Sequence, residues 1–235
     1  MLLKKNKTLL VLLFIASLFL ISCSNQEISN EDTKIEKQEL KEDEKKLEEL
    51  KLKEDEAKAL VANQKYEEAI MKYSEIIIEQ PTNGYLNMSV GNIYLKQNKY
   101  DEAINEYNKA LEKDSKIEGA YNNIAGIYML KKDYDKTLEL LNKGLAVLSE
   151  SKELRFKKAQ ILFVKEEYKE AIKEFEYFGE YKEYTNYMET KRFLGILYLK
   201  EGNKEKAIEN LQYYIDNTQD EKFKENIKNL LKEIK

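Results

Sequence analysis

Residues 84–117 read GYLNMSVGNIYLKQNKYDEAINEYNKALEKDSKI, and the rest of the chain is organised around this stretch. Its small residues Gly91 and Ala103 stand 12 positions apart, and both recur along the chain. Ala69, Ala103, Thr137 and Ala171 follow one another at intervals of 34, and Ala207 follows after 36. Ala57, Gly91, Ala125, Ala159 and Gly195 form a second series, each 12 residues ahead of its counterpart. Self-similarity at this period indicates stacked helical hairpins. The spacing has a physical cause. Two antiparallel helices approach closely only where side chains are small, and 12 residues carry the chain along one helix, round a short turn and back to the facing point. One hairpin cannot bury its apolar face alone, so the units must stack.

Composition agrees with helices throughout. The 235 residues include one Pro and eight Gly, and 36% are charged, so helix breakers are scarce and strand punctuation is nearly absent. The formal charge of −4 is mild, and no basic stripe suggests a nucleic-acid partner. The absence of His removes the commonest general base and metal ligand. There is no Ser in a Gly-rich elbow, no phosphate-cradling loop and no Cys/His metal spacing. The expectation is a protein that is not an enzyme and needs no cofactor or metal. The remaining catalytic alternative is a carboxylate-dependent envelope hydrolase, which needs two acids facing across a cleft.

The repeat region spans 50–219, with units near 50–83, 84–117, 118–151, 152–185 and 188–221. The clearest unit carries Val90-Gly91 and Tyr94 on its first helix, then Tyr100, Ala103, Tyr107 and Ala110 on its second. The others supply Leu60, Tyr66, Tyr73 and Pro81; Tyr121, Tyr128, Tyr134 and Leu141; Leu162, Tyr168 and Phe175; and Leu194, Tyr198 and Leu211. These offsets resemble the tetratricopeptide repeat (TPR). The resemblance implies a right-handed α-solenoid of about five hairpins. Asn98-Lys99, Lys132-Asp133 and Gly202-Asn203 fall where the hairpin turns belong. Glu67, Glu68, Asp101, Glu102 and Asp135 fall in first turns of second helices, where acids complement the helix dipole. Two extra residues and the rings of Tyr177, Phe178, Tyr181, Tyr184 and Tyr187 break the period between the fourth and fifth units. They are read as a longer second helix packing its rings into the core, with an exposed aromatic patch as the alternative. Residues 220–235 place Phe223, Ile227, Leu230, Leu231 and Ile234 on one face and read as a capping helix.

The amino terminus reads as an export signal over 1–22. Lys4, Lys5 and Lys7 precede an apolar core from Leu9 to Ile21, too short to span a bilayer. The run Leu20-Ile21-Ser22-Cys23 resembles the lipobox of bacterial lipoproteins, which implies that Cys23 is lipidated and becomes the mature terminus. An ordinary signal cut elsewhere and an uncleaved anchor are the competing readings. Residues 23–49 form a tether: a polar leader to about residue 35, then a charged helical stretch. The charged tract runs from about Glu36 on to Lys58, where Glu42–Lys46, Glu49–Lys53 and Glu54–Lys58 are i,i+4 pairs, and Leu40, Leu47 and Leu50 are the only hint of a coiled-coil seam.

In the TPR family the first helices line a concave groove that takes extended peptides or helices of partner proteins. The offsets carry that role to Tyr85, Met88, Asn92 and Leu95; to Asn122, Asn123, Gly126 and Met129; to Phe156, Lys157, Gln160 and Phe163; and to Arg192 and Ile196. Some members clamp a C-terminal carboxylate. Asn92, Asn123 and Lys157 match three of the five clamp positions, whereas Met88 and Glu153 stand where basic residues belong. Met129 and Phe163 read equally well as inter-repeat packing. The expected function is a lipid-anchored interaction scaffold of the bacterial envelope. It would bind other envelope proteins, be held to the membrane through Cys23, and sit at the outer membrane on its periplasmic face. Assembly of an outer-membrane or pilus-type complex fits this plan, and a surface-exposed adhesin or antigen is the alternative.

Overall fold

A computed structural model of the chain describes residues 32–234. The signal, Cys23 and the leader up to residue 31 lie outside the described residues. Eleven α-helices follow one another among the described residues, with no strand. They are α1 (Asp32–Ala62), α2 (Tyr66–Glu79), α3 (Gly84–Lys96), α4 (Tyr100–Lys113), α5 (Glu118–Leu130) and α6 (Tyr134–Val147). After them come α7 (Lys152–Val164), α8 (Tyr168–Glu176), α9 (Tyr187–Lys200), α10 (Lys204–Asn217) and α11 (Glu221–Ile234). Helix α1 begins earlier than the sequence suggests, since Asp32 to Ile35 are already helical, and it continues past residue 50. The chain divides inside α1, between Asp55 and Glu56. Before that point the helix is a charged rod in which Lys45 and Glu49 pair at 3.9 Å and Leu40 and Leu47 remain about half exposed.

From Glu56 onward, first and second helices alternate and each packs on its chain neighbours, giving the expected all-α solenoid. Every rung of the ladder is fully buried: Ala69, Ala103, Thr137, Ala171 and Ala207. The first-helix series is buried too, but its purpose differs from the expectation. A Cβ added at Gly91 would lie 2.7 Å from the ring of Tyr107, and one at Gly195 would collide with Leu211. Both small residues therefore make room for a large side chain 16 positions later, rather than for the small residue of the facing helix. The same offset links Ala57 to Tyr73, Ala125 to Leu141 and Ala159 to Phe175, and all five large partners are buried. A tight hairpin thus keeps a full hydrophobic payload on one side by omitting it on the other.

The five hairpin turns share one geometry. Gln64, Asn98, Lys132, Glu166 and Gly202 have φ of 60, 58, 57, 62 and 77°. They recur at the period of the ladder, slip included. The next residue closes each turn by donating its amide to a carbonyl five back: Lys65 to Leu60, Lys99 to Tyr94, Asp133 to Tyr128, Glu167 to Leu162 and Asn203 to Tyr198, all at 2.8–2.9 Å. This is the Schellman closure, which satisfies carbonyls that the helix end would orphan. Asp133 and Asn203 also cap the following helix, accepting from the amides of Lys136 and Lys206.

Successive units are tied by a repeated polar contact. Gln97 donates to Glu67 at 3.2 Å, Lys131 to Asp101 at 2.6 Å and Lys165 to Asp135 at 2.5 Å, each spanning 30 residues. The first-turn acids thus serve the next unit as well as their own helix dipole. Asp101 and Asp135 are 87% exposed, so these bonds set register more than stability. Within hairpins, Asn87 donates to Glu106 at 2.8 Å and Arg155 to Glu174 at the same distance, again at one shared offset.

The irregular junction departs from its expectation. Helix α8 is shorter than the other second helices, ending at Glu176, and a 3-10 turn over Tyr177–Glu180 leads into a loop to Asn186. The tightened turn drives Phe178 into the core, where its ring lies 5.9 Å from Phe156 and stacks on Tyr184 at 4.9 Å. Tyr177 and Tyr181 lie over Arg155 and Lys152, at 4.1 and 4.0 Å. The rings are core and flank, as the packing reading expected, but the longer helix does not form. At the far end α11 buries Ile227 and Leu231 among Leu211, Tyr214 and Ile215, closing the last repeat as the capping expectation required.

Two stability measurements test these constraints. Glu166→Gly relieves a left-handed non-glycine residue and is expected to stabilise by about 0.5–1 kcal/mol in urea unfolding, while Gly202→Ala destabilises by about 1 kcal/mol. Gly91→Leu is expected to cost about 1–3 kcal/mol by overpacking against Tyr107. Gly126→Ala, with nothing within 4 Å of the added methyl, is expected to gain about 0.5–1 kcal/mol in a thermal melt.

Candidate partner-binding site

The expected groove residues sit on the first helices α3, α5, α7 and α9, and the fold uses several of them up. Phe156 is buried and meets four rings: Phe175 at 5.5 Å, Phe178 at 5.9 Å, Tyr184 at 6.1 Å and Phe193 at 6.3 Å. It is a core hub whose edge forms the floor of a recess. Phe163 packs on Phe193 at 5.3 Å, and Leu95 and Met129 pack against the core of the second and third units. Met88 lies against the following unit, its sulfur 3.0 Å from where a Cβ of Gly119 would stand. Arg192 pairs with Glu189 and lies between the rings of Phe193 and Phe223, at 4.8 and 4.9 Å, so its charge is engaged at the capping end. Tyr85 is the open member, 55% exposed.

Two of the three Asn residues are also committed. Asn92 Oδ1 accepts from the Tyr107 hydroxyl at 2.8 Å and from the Asn123 amide at 2.9 Å. Burial pushes the Tyr107 phenol up to about 12, so at neutral pH it stays protonated and keeps donating. This link between the second and third units was not legible in the sequence, because Asn at a groove offset gives no sign of which neighbour it will meet. It also spends one amide donor of Asn123, beyond the loss of a carboxylate clamp already implied by Met88 and Glu153.

What remains lies together. Asn122 of α5, Glu153, Phe156, Lys157 and Gln160 of α7, and Tyr184 and Asn186 of the junction line one recess of about 310 Å³. Asn122 lies beside the Glu118 carboxyl and helps to hold its pKa down. The Oδ1 of Asn122 is buried with no hydrogen-bond partner. Burial and the nearby Glu153 raise the Glu118 carboxyl above its ordinary range, while the Ser151 hydroxyl, donating at 2.9 Å, opposes that shift. No ion pair or hydrogen bond reaches the Lys157 ammonium from the described residues, and burial lowers its pKa. Sequence offsets placed Asn122, Lys157 and Gln160 in the groove. They missed Tyr184 and Asn186, which only the irregular junction brings there. A second recess of about 210 Å³ lies along the first hairpin and α3, lined by Lys58, Val61, Tyr73, Ser89, Asn92, Ile93 and Lys96.

Comparison with known proteins bears on the fold. A family model described as TPR repeat matches residues 91–132. No curated protein matches the sequence. Among solved structures, YrrB, described as a TPR protein with an unusual peptide-binding site, is 21% identical with a TM-score of 0.58, covering 74% of this chain and 88% of its own. MamA is 16% identical with a TM-score of 0.57, covering 68% and 92%. The MamA fragment from Desulfovibrio magneticus RS-1 is 14% identical with a TM-score of 0.58, covering 73% and 97%. The turns, the paired small residues and these likenesses together show that the fold is that of a tetratricopeptide-repeat solenoid.

Proposed function

We propose that this protein is a non-catalytic scaffold that binds an extended segment of another protein across its first helices, and that a lipid on Cys23 holds it to a membrane of the bacterial envelope. The observation that carries the binding role is the recess shared by α5, α7 and the junction. There the Asn122 carbonyl is buried without a hydrogen-bond partner, and no carboxylate among the described residues pairs with the Lys157 ammonium. Buried polar groups are normally paired, so an unmet acceptor beside an unpaired cation suits a ligand that supplies the complements. Backbone N–H and C=O groups of an extended chain are such complements. The anchoring role rests on the run Leu20-Ile21-Ser22-Cys23 behind a short apolar core. Two or three acyl chains on one residue hold firmly, where one chain is marginal. An outer-membrane address on the periplasmic face, serving assembly of a larger envelope complex, is the setting we favour.

A photo-crosslinking residue placed at Gln160 or Tyr85 in intact cells is expected to capture one discrete protein band. The same residue at Glu139, exposed on the second helix α6, is expected to capture none. Equal capture from both faces would remove the groove from the reading. Independently, metabolic labelling with a fatty acid is expected to mark the wild type and to be lost in Cys23→Ser, with the variant released from the membrane fraction. Labelling that survives the substitution would refute the lipid anchor.

A further inference from the structure

We infer that Lys157 selects partners carrying an acidic side chain, Asp or Glu, within the bound segment rather than at its carboxyl terminus. The inference rests on the groove reading above and names the chemistry that the recess reads.

Three observations converge. The first is charge. Lys157 lines the recess, and no carboxylate among the described residues pairs with its ammonium. Its neighbours on α7 are different. Lys158 pairs with Glu174 at 2.8 Å and Arg155 with the same carboxylate, and just past the helix end Lys165 pairs with Asp135. On α9, Arg192 is held by Glu189. Glu153 lines the recess without pairing to Lys157. The fold thus leaves one half-buried cation uncompensated inside a concave site, and burying a charge without a partner is costly unless a ligand completes it.

The second observation is the unmet acceptor. Asn122 Oδ1 is buried without a donor in the same recess. A carboxylate ligand alone would worsen its position, since both are acceptors. A peptide that brings a side-chain carboxylate to Lys157 and a backbone N–H to Asn122 answers both demands at once.

The third concerns the alternative source of a carboxylate, a chain terminus. A terminal carboxylate presents two charged oxygens at the backbone itself and needs several convergent donors. Here Asn123 already spends an amide N–H on the Asn92 carbonyl, which also accepts from Tyr107. Met88 offers no charge where a second cation would be needed. One ammonium with Gln160 is a donor set for a side chain that reaches in from a continuing segment.

The test uses a random peptide library with amidated C-termini, panned in parallel on the full-length protein and on Lys157→Met. The wild type is expected to enrich peptides with Asp or Glu at one fixed place among apolar residues. Resynthesis with Asn or Gln at that place is expected to weaken binding about tenfold, the loss of one charge-assisted hydrogen bond. Lys157→Met is expected to bind both versions equally, and Lys157→Arg to retain the preference. If peptides are enriched without an acid, or binding appears only when the amide is replaced by a free carboxyl terminus, the role of Lys157 is wrong while the groove stands. If no peptide is retained by either protein, the groove reading fails and this inference with it. Circular dichroism of both variants checks that the helices persist.

Discussion

Everything in the repeat region depends on how closely the two helices of each hairpin approach. That distance is set by an asymmetric pair: a residue with little or no side chain on the first helix, and a large apolar one 16 positions later on the second. At Gly91 the ring of Tyr107 occupies the space a methyl would need, and at Gly195 Leu211 does the same. Because interiors are packed at crystal-like density, neither partner can grow without displacing the other. The close approach in turn fixes where the second helix must start, which is why five different residues, from Gln64 to Gly202, adopt the same left-handed turn. Three of them, Gln64, Lys132 and Glu166, are neither Gly nor Asn and accept a backbone strain of about 1–2 kcal/mol each, offset by the packing that the turn permits.

The groove follows from the same geometry. Once second helices carry the large side chains and first helices the small ones, the exposed side of each first helix is left with residues that do not fill the core. Evolution of this chain has spent many of those on cohesion between units. Asn92 and Asn123 bind each other, Arg192 lies between rings at the capping end, and Phe156 anchors an aromatic cluster. A site concentrated at α5, α7 and the junction remains. The slipped period explains its position: the short α8 and the 3-10 turn bring Tyr184 and Asn186 to the edge of a recess that a regular repeat would have left shallower in side chains.

Two kinds of polar interaction can be separated by burial. The contacts at 30-residue spacing, such as Lys131 with Asp101, end on highly exposed carboxylates and contribute little energy each. Their value is positional, because they repeat with the units and mark the correct register. The buried contacts are fewer and matter more. Glu174, only 8% exposed, holds both Arg155 and Lys158, and losing either would leave a charge poorly compensated inside the protein.

The fold was largely legible before any coordinates, since period, small-residue series and turn positions are properties of one-dimensional spacing. That spacing placed the five units, the capping helix and the first-helix face. It misjudged what could not be expressed as spacing. The small residues face a large partner, not each other, because only three-dimensional packing tells which of two nearby offsets fills the gap. Helix α1 runs on through the boundary expected near residue 50, since a Glu/Lys-rich tract and a repeat helix share the same helical propensity. At the junction the extra residues form a tight turn because Phe178 has to enter the core, and a ring's burial depends on neighbours far away in sequence. The sequence by itself therefore determined the repeating architecture and which residues share the first-helix face. Only the tertiary structure decided which first-helix residues stay available, because hydrogen-bond and ion-pair partners are chosen by proximity in space: Asn92 found Asn123, Arg192 found Glu189, and Lys157 found no partner among the described residues.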